Sequence, residues 1–514
     1  MPPTVPTASL FTSPTSTDAL PMADFSDILA NIGERLVYIP TEPLLFSSGT
    51  FWALFLIFLP AFCLLRRRLW LMVSFTVLFS LYFYYKCSGL FVAMLAATSL
   101  VDWLLSRVIA RPGASKTLRR LCLTASLVTS LGILAYFKYA NFFLWNLNAL
   151  VAGNFQPLDL ILPVGISFYT FQSVSYIVDV YKGRVAPTPT WLEYAFFLAY
   201  FPALVAGPIV RADYFLPQIR QNRTASRTEV YMGLWLIILG VVKKAIIADY
   251  IAQYNDLIFQ TPGGYSGFET LMGIIGYTMQ IYCDFSGYSD MAIGISLIMG
   301  FRLAKNFNFP YKSRNLTDFW RRWHISLSTW LRDYIYIPLG GNRHGTARTY
   351  LNNFATMLIG GLWHGAAWKF VFWGAMHGAG LAVHKASKPW LGHLGDSWPV
   401  RAASWLVTMV FVALLWVFFR ADNWHDSWTV IRTVADGGYT AASIAAFASA
   451  RMLWLILMAV IIISHCLPTG FWDKAAAAFV RAPWLAKLIV FIIVVQLVLE
   501  LRGESVAPFI YFQF

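Results

Sequence analysis

An ionisable side chain stands in the middle of an apolar stretch of this sequence. The segment LIGGLWHG (358–365) places His364 inside a run, 356–380, that is long and apolar enough to cross a membrane as a helix. Ionisable groups are costly within membrane spans, and they usually face a cavity or a pathway. Imidazole can take a proton from a hydroxyl near neutral pH. His364 therefore fits transfer of an activated group to or from a hydroxyl or thiol. The competing interpretation is a packing histidine bonded to a carbonyl.

A second histidine, His324, lies 40 residues earlier in DFWRRWHISLSTWLRD, a segment too polar to cross a membrane. Thr317 is a predicted helix N-cap, and Asp318 and Arg322 are spaced to pair across one turn. The pattern predicts one amphipathic helix lying in the membrane interface and ended by residues 340–342. His324 lies near its apolar face, either as an interfacial histidine with a satisfied hydrogen bond or as part of the site. That face consists of Trp320, Trp323, Leu327, Trp330 and Leu331.

No metal site is predicted. His377 follows His364 by thirteen residues, which is about 220° around a continuous helix. The two imidazoles cannot share a ligand site unless the helix breaks at its glycines. The five cysteines are scattered and form no CxxC pair, so neither a zinc site nor a disulfide framework is indicated.

The composition indicates that these residues are positioned by membrane-spanning helices. The chain has 514 residues, 58% hydrophobic and only 12% charged, whereas soluble domains carry about 25% charged residues. We therefore predict one all-α membrane-embedded unit of about ten to thirteen spans or re-entrant helices. The net charge of +14 would suggest nucleic-acid binding in a soluble protein, but here the basic residues cluster in short loops between apolar runs, as the positive-inside rule predicts. Those loops are 66–68, 107–120 and 220–227.

Apolar runs predict where the spans lie. The run 191–210 is interrupted by Pro202, Gly207 and Pro208, so we expect a broken or re-entrant segment there. Lys138 lies near the far end of its run and is expected to snorkel to the membrane surface. The predicted spans are 44–65, 69–85, 89–107, 121–143, 158–181, 232–252, 267–283, 286–301, 351–384, 403–419, 452–467 and 485–501.

The N-terminal part of the chain differs from the rest. Residues 1–22 are rich in Pro, Ser and Thr, and residues 23–43 have the spacing of a short amphipathic helix. We therefore separate a variable extension, 1–43, from a membrane-embedded domain, 44–514. Counting spans from the triple-arginine loop puts the N-terminus outside and the 107–120 loop inside.

Several motifs follow one another in order from about residue 44 to residue 514. Together they resemble the membrane-bound O-acyltransferase family, in the bacterial branch that acetylates polysaccharides such as alginate. The motifs are LLFSSGTFWALFLIFLP, LPVGISFYTFQSVSYIVDVY, FPALVAGPIVR, GLWLIILGVVKKAIIADY, QIYCDFSGYSDMAIGISLIMGFRLAKNFNFPY, DFWRRWHISLSTWLRDYIYIPLGGNR, GGLWHGAAWKFVFWGAMHG and the terminal FIYFQF.

The resemblance implies a helical shell around a tunnel that crosses the membrane. It makes His364 the catalytic residue at the constriction and His324 a second, auxiliary one. Polar residues of the nearby motifs become candidates for lining the tunnel and binding substrate, although each has a structural alternative, such as an Asp318–Arg322 surface pair. These candidates are Asp284, Ser286, Tyr288, Asp290, Asn306, Asn308, Asp318, Arg321 and Trp363.

The resemblance also implies the reaction and its setting. We expect an acetyl group from a cytoplasmic thioester, acetyl-coenzyme A or an acyl-carrier protein, with no bound cofactor. The acceptor would be an exported polysaccharide, alginate-like or cellulose, reached through periplasmic esterase-like partners of a multi-pass protein in the bacterial inner membrane. Peptidoglycan and teichoic acid are alternative acceptors. A transporter or flippase and a non-catalytic export scaffold are alternatives of another class; no inverted repeat supports the first, and retention of both histidines argues against the second.

Overall fold

A computed structural model describes residue 33 and residues 35–501, apart from residues 392 and 394. The regular elements in this part are all helices. Most of the 1–43 extension and the terminal FIYFQF lie outside it, so the predictions for them stay predictions. The α-helices are α1 (Gly49–Leu65), α2 (Leu69–Ser88), α3 (Phe91–Ile109), α4 (Lys116–Leu134), α5 (Ala140–Val151), α6 (Ile166–Tyr181), α7 (Trp191–Leu198), α8 (Phe201–Leu204), α9 (Ala212–Gln221), α10 (Arg227–Val241), α11 (Asp249–Gln260), α12 (Gly267–Ile298), α13 (Leu316–Arg322), α14 (Ile325–Leu331), α15 (Gly345–His364), α16 (Trp368–Leu391), α17 (Trp398–Arg420), α18 (Trp424–Ala435), α19 (Ala441–Ala450), α20 (Met452–Cys466), α21 (Thr469–Arg481) and α22 (Trp484–Leu501).

Short π-helical segments interrupt this series. They span Ala135–Tyr139, Val242–Ala248 and Arg332–Tyr336, and a 3₁₀ turn covers Pro310–Lys312. The first joins α4 to α5 and the second joins α10 to α11, so that Lys116–Val151 and Arg227–Gln260 are continuous helical segments.

Six helical segments in the described part are long and apolar enough to cross a membrane, or seven if the bent pair α19–α20 counts as one span. They match six of the twelve predicted spans, in the same order. The six are Leu69–Ser88, Phe91–Ile109, Lys116–Val151, Arg227–Gln260, Trp398–Arg420 and Trp484–Leu501. The prediction of an all-helical, multi-pass membrane protein is confirmed.

The two spans predicted at 267–283 and 286–301 are wrong, because they form one 32-residue helix, α12. A capping box of Ser266 and Glu269 starts it, and its polar middle is buried against α10 rather than broken. At two levels glycines allow the backbones to touch. A Cβ on Gly240 would lie 2.5 Å from the carbonyl oxygen of Gly287, and one on Gly294 would lie 2.5 Å from that of Gly233.

The span predicted at 158–181 is helical only from Ile166 onward, over its last two thirds. Gly165 adopts a left-handed conformation (φ 73°) immediately before α6, and a Cβ there would lie 2.8 Å from the carbonyl oxygen of Leu204. Pro163, which lacks a backbone N–H, precedes it. Residues 158–165 therefore form an irregular segment. The predicted break within 191–210 is confirmed, since α7 and α8 are separate short helices.

The amphipathic helix predicted around His324 is also two helices, α13 and α14. His324 adopts a left-handed conformation (φ 42°) between them, which a non-glycine residue rarely does. The N-cap is Asn315, not the predicted Thr317, because the Asn315 side chain accepts a hydrogen bond from the backbone N–H of Asp318 at 2.9 Å. The tryptophans Trp320, Trp323 and Trp330 are buried against aromatic side chains of other helices, so they do not form an apolar face turned to lipid. The interfacial location of the segment stays a prediction.

The run predicted as one span at 351–384 folds back on itself. Helix α15 ends at His364, Gly365 is extended, and α16 starts at Trp368. The two helices pack antiparallel through small residues: a Cβ on Gly361 would lie 2.3 Å from the carbonyl oxygen of Phe370, and one on Gly374 would lie 2.5 Å from that of Met357. The turn moves His364 from mid-span to the end of a helix.

Candidate active site

His364 lies at the carboxyl end of α15 and is only 3% exposed. Three aromatic side chains surround its imidazole. The ring centroids of Trp363, Trp373 and Phe419 lie 5.0, 5.1 and 5.2 Å from that of His364. Because these residues come from α15, α16 and α17, three helices fix the orientation of the ring.

Two residues of the first π-helical segment bind the same end of α15. The Nζ atom of Lys138 donates to the carbonyl oxygens of Trp363 at 2.7 Å and His364 at 2.9 Å. The hydroxyl of Tyr139 donates to the carbonyl oxygen of Leu362 at 2.6 Å. Lys138 therefore does not extend freely into solvent, as simple snorkelling would have it, because carbonyls that the end of a helix leaves unsatisfied bind its ammonium group.

A small cavity of about 60 Å³ adjoins His364, which is room for about two water molecules at their liquid volume. One wall is the irregular segment before α6. Its lining residues are Lys138, Leu162, Pro163, Val164, Gly165, Ile166, Ser167, Phe168, Val205, Trp363 and His364.

His324 is fully buried and is held by Asn306. Its Nδ1 atom lies 3.1 Å from the Asn306 side-chain oxygen, which also accepts from the Ser326 hydroxyl at 2.9 Å. The amide nitrogen of Asn306 donates to Ser289 at 3.1 Å. Since the Asn306 oxygen is an acceptor, Nδ1 is the protonated nitrogen of neutral His324, and Nε2 is the basic one.

The structure brings the two predicted histidines together. The ring of Trp363 lies between them, with its centroid 5.9 Å from that of His324 and 5.0 Å from that of His364. The indole N–H of Trp363 donates to the carbonyl oxygen of Ser167 at 3.3 Å. Phe168 stacks near His324 with a centroid separation of 6.3 Å.

A third histidine, His377, is brought near because α15 and α16 are separate helices. Trp373 contacts both imidazoles, 5.1 Å from His364 and 4.5 Å from His377 by ring centroids. His377 is fully buried, and neither of its ring nitrogens has a hydrogen-bond partner among the residues that the structure describes. The spacing of His364 and His377 could be read from the sequence, but the turn at Gly365 that brings them near each other could not. Within the described ranges, no three His, Cys, Asp or Glu side chains form a group that could hold a metal ion.

A larger cavity of about 400 Å³ lies on the other side of the histidines and their aromatic neighbours from the small cavity. Trp320 lines the cavity and contacts His377, with ring centroids 5.1 Å apart. The predicted binding residue Arg321 is also in its wall. The lining residues are Thr317, Trp320, Arg321, Ile325, Ser328, Thr329, Leu331, Arg332, Tyr336, Asn353, Thr356, Met357, Leu381 and Lys385.

Other predicted binding residues lie outside this arrangement. Asp284 forms a 2.5 Å ion pair with Lys244. Tyr288 stacks on Phe46 with centroids 4.7 Å apart. Of the rest, Ser286 is buried within α12, Asp290 pairs with Lys243 at 2.7 Å, Asn308 accepts from Lys305 at 3.1 Å, and Asp318 pairs with Arg322 at 2.9 Å.

Buried histidines lie between two cavities of a multi-helical membrane protein. An enzyme that acts on a chemical group inside the membrane needs such an arrangement. Residues 185–421 match the sequence model of MBOAT, the membrane-bound O-acyltransferase family. The chain is 36% identical over 509 residues to the Azotobacter vinelandii protein named "Probable alginate O-acetylase AlgI", covering 92% of this chain and 100% of that one.

Two further relatives agree. A Pseudomonas aeruginosa protein of the same name is 40% identical, covering 77% of this chain and 75% of its own. A peptidoglycan O-acetyltransferase of Helicobacter pylori is 38% identical, covering 71% of this chain and 73% of its own. The chain belongs to the membrane-bound O-acyltransferase family, which confirms the predicted family and makes the protein an O-acyltransferase.

Proposed function

We propose that this protein is an acetyltransferase of the bacterial inner membrane. It transfers an acetyl group from a cytoplasmic thioester to a hydroxyl, and the acetyl group ends on an exported polysaccharide. The observation that carries the proposal is His364 at the end of α15, against a small cavity and beside a second histidine that Asn306 orients. Relatives named for acetylation of alginate and of peptidoglycan support acetyl as the group and a polysaccharide as the acceptor.

The two cavities differ in their position across the membrane. Lys116 lies at the basic 107–120 loop, and Lys138 lies 22 residues further along one helical segment, a rise of about 30 Å. Helix α6 connects the same two regions. The carbonyl oxygen of Tyr181, at one end, accepts a hydrogen bond from Arg119 at 2.9 Å, and Ser167, at the other end, lines the small cavity. The positive-inside rule puts the basic loop in the cytoplasm, and therefore the small cavity on the outer side.

The larger cavity lies toward the cytoplasmic side. Tyr334, between two of its lining residues, donates to Asp179 at 2.5 Å, close to the cytoplasmic end of α6. Its wall contains Arg321, Arg332 and Lys385. Three cations favour a phosphate-bearing donor, which supports acetyl-coenzyme A or a phosphopantetheine carrier. Met357, which lines this cavity, and His364 are seven residues apart on α15, about 10 Å.

The chemistry follows from this arrangement. His364 accepts the proton of an acceptor hydroxyl, and the hydroxyl oxygen attacks the thioester carbonyl. The tetrahedral intermediate collapses with loss of the thiolate, which takes the proton back from the imidazolium, so that the histidine ends neutral. His324 acts as the auxiliary residue. The acceptor is a hydroxyl of a periplasmic esterase-like partner or of the polymer itself, alginate-like or cellulose.

Replacing His364 by alanine tests this function. General-base catalysis contributes about 10²–10⁴-fold, so we expect His364→Ala to lower the acetyl ester content of the exported polymer to background. His425→Ala, an exposed histidine on α18, is the matched control and should leave acetylation unchanged. Near-normal acetylation by a folded, membrane-inserted His364→Ala protein would overturn the catalytic assignment. Isolated cell walls from the same cells test peptidoglycan, the acceptor favoured by the Helicobacter relative.

A further inference from the structure

We infer that Lys138 is a positioning residue for His364, a role that rests on the proposed function. Its ammonium group holds the last turn of α15 in place and supplies the fixed positive charge of the small cavity. In the sequence, Lys138 precedes His364 by 226 residues, so only the fold brings them together.

The contacts of Lys138 use all of its hydrogen-bonding capacity. Besides the carbonyl oxygens of Trp363 and His364, Nζ donates to the hydroxyl of Ser167 at 3.2 Å. An ammonium group has three donors, and here each has an acceptor. No carboxylate pairs with Lys138 among the described residues, so its charge is balanced only by carbonyl and hydroxyl dipoles.

The π-helical turn explains how one segment reaches three successive carbonyls. The wide turn Ala135–Tyr139 directs both Lys138 and Tyr139 at α15, where they bind the carbonyl oxygens of residues 362, 363 and 364. π-helical segments are rare in proteins, and those that occur often lie at functional sites. Because helix ends otherwise fray, these bonds fix the backbone from which the His364 side chain projects.

The charge has a second consequence. Lys138, Ser167 and His364 line the same small cavity. The tetrahedral intermediate of acyl transfer develops negative charge on the thioester oxygen, and a fixed positive charge next to it lowers the barrier. Positioning and charge both act on turnover rather than on donor binding, since the larger, basic cavity lies on the other side of the histidines.

Another lysine in the chain does the same structural task away from the site, which provides a matched control. Lys487 is buried and donates to the carbonyl oxygens of Val480, at 3.2 Å, and Ala482, at the end of α21. It lines neither of the two cavities. If Lys138 only stabilised the fold by capping a helix, as Lys487 does, replacing either lysine would have the same effect on kcat.

The experiment compares Lys138→Met with Lys487→Met in membrane vesicles from the producing cells, with radiolabelled acetyl-coenzyme A as donor. We expect Lys138→Met to lower kcat about 100-fold, the effect of misplacing a catalytic group by about 1 Å, with KM for the donor within twofold. Lys487→Met should keep kcat within twofold. Lys138→Arg, which retains the charge, should recover at least tenfold over Lys138→Met.

Two milder variants keep the inference falsifiable if Lys138→Met does not insert into the membrane. Ser167→Ala and Tyr139→Phe should each lower kcat three- to tenfold at unchanged KM. Equal kcat values for Lys138→Met and Lys487→Met, or wild-type kcat in both milder variants, would overturn the role of Lys138. A fully active His364→Ala protein would instead overturn the proposed function, so the two failures are distinguishable.

Discussion

Two π-helical segments of this enzyme carry lysines into the protein interior, and they bind different partners. In Val242–Ala248, Lys244 contacts the carboxylates of Asp284 at 2.5 Å and Asp249 at 2.8 Å, and Lys243 contacts Asp290 at 2.7 Å. In Ala135–Tyr139, Lys138 contacts backbone carbonyls and a hydroxyl. The first segment matches charge with charge, whereas the second leaves a net positive charge beside a histidine.

This difference separates structural from catalytic polarity inside a membrane protein. Ionisable residues in a membrane suggest function by default, and by that rule both segments qualify. The carboxylates on Lys244 hold α10, α11 and α12 together, and none of these charged residues lines either of the two cavities. Pairing with carboxylates and distance from a cavity therefore indicate a structural role, and a cation beside a cavity without a carboxylate partner fits the positioning role that we propose for Lys138.

The largest expected effect that tests this distinction is on stability. Removing one partner of a buried ion pair costs about 3–5 kcal/mol, so Asp284→Asn and Lys244→Met should each lower the free energy of unfolding by that amount. Acetyl transfer per folded molecule should stay within twofold. Thermal unfolding in detergent and a folded-protein assay measure both quantities.

The exposed pair of Arg314 and Asp396, 2.7 Å apart, is the control for this experiment. Asp396→Asn should cost no more than about 1 kcal/mol, because exposed pairs contribute little. An Asp284→Asn protein of normal stability and no activity would contradict the comparison, and would return Asp284 to the binding site where the sequence predicted it.

A smaller effect is expected for Asn306, which orients His324. Asn306→Ala removes the acceptor of the Nδ1 proton, and we expect it to lower activity about 10–100-fold, the range seen when partners that orient metal-bound histidines are lost. Asn308→Ala, two residues away and bonded to the exposed Lys305 side chain, is the control and should change acetylation less than twofold. Equal activity of the two variants would mean that the orientation of His324 does not matter for transfer.

Some of the site could be predicted because its signal is local. A histidine in an apolar run is visible without any fold, and so His364 was identified directly. His324 stood out by its tryptophan-rich surroundings and by the resemblance. Likewise, prolines and a glycine marked the broken segment at 191–210, where the backbone itself is the cause.

The rest depended on long-range contacts that no periodicity encodes. Lys138 reaches carbonyls more than 220 residues away, and its run of apolar neighbours gave no sign of these acceptors. The turn at Gly365 brings Trp373 and His377 back toward His364. From the sequence, a break at the glycines was only an alternative to one continuous helix. The ion pair of Asp284 with Lys244, which lies 40 residues earlier, could not be read from the motif around Asp284 either.

The smallest effect concerns the basic wall of the larger cavity. Arg321→Ala removes one positive charge from a wall that the donor phosphates would face, so we expect KM for acetyl-coenzyme A to rise three- to fivefold, or about 1 kcal/mol, with kcat unchanged. The difference from wild type should shrink at high salt, because exposed charges are screened. Arg314→Ala, outside both cavities, is the control. A fall in kcat at constant KM would place Arg321 with the catalytic group, and the donor would then have to bind elsewhere, because a cavity that recognises the donor must act on its affinity.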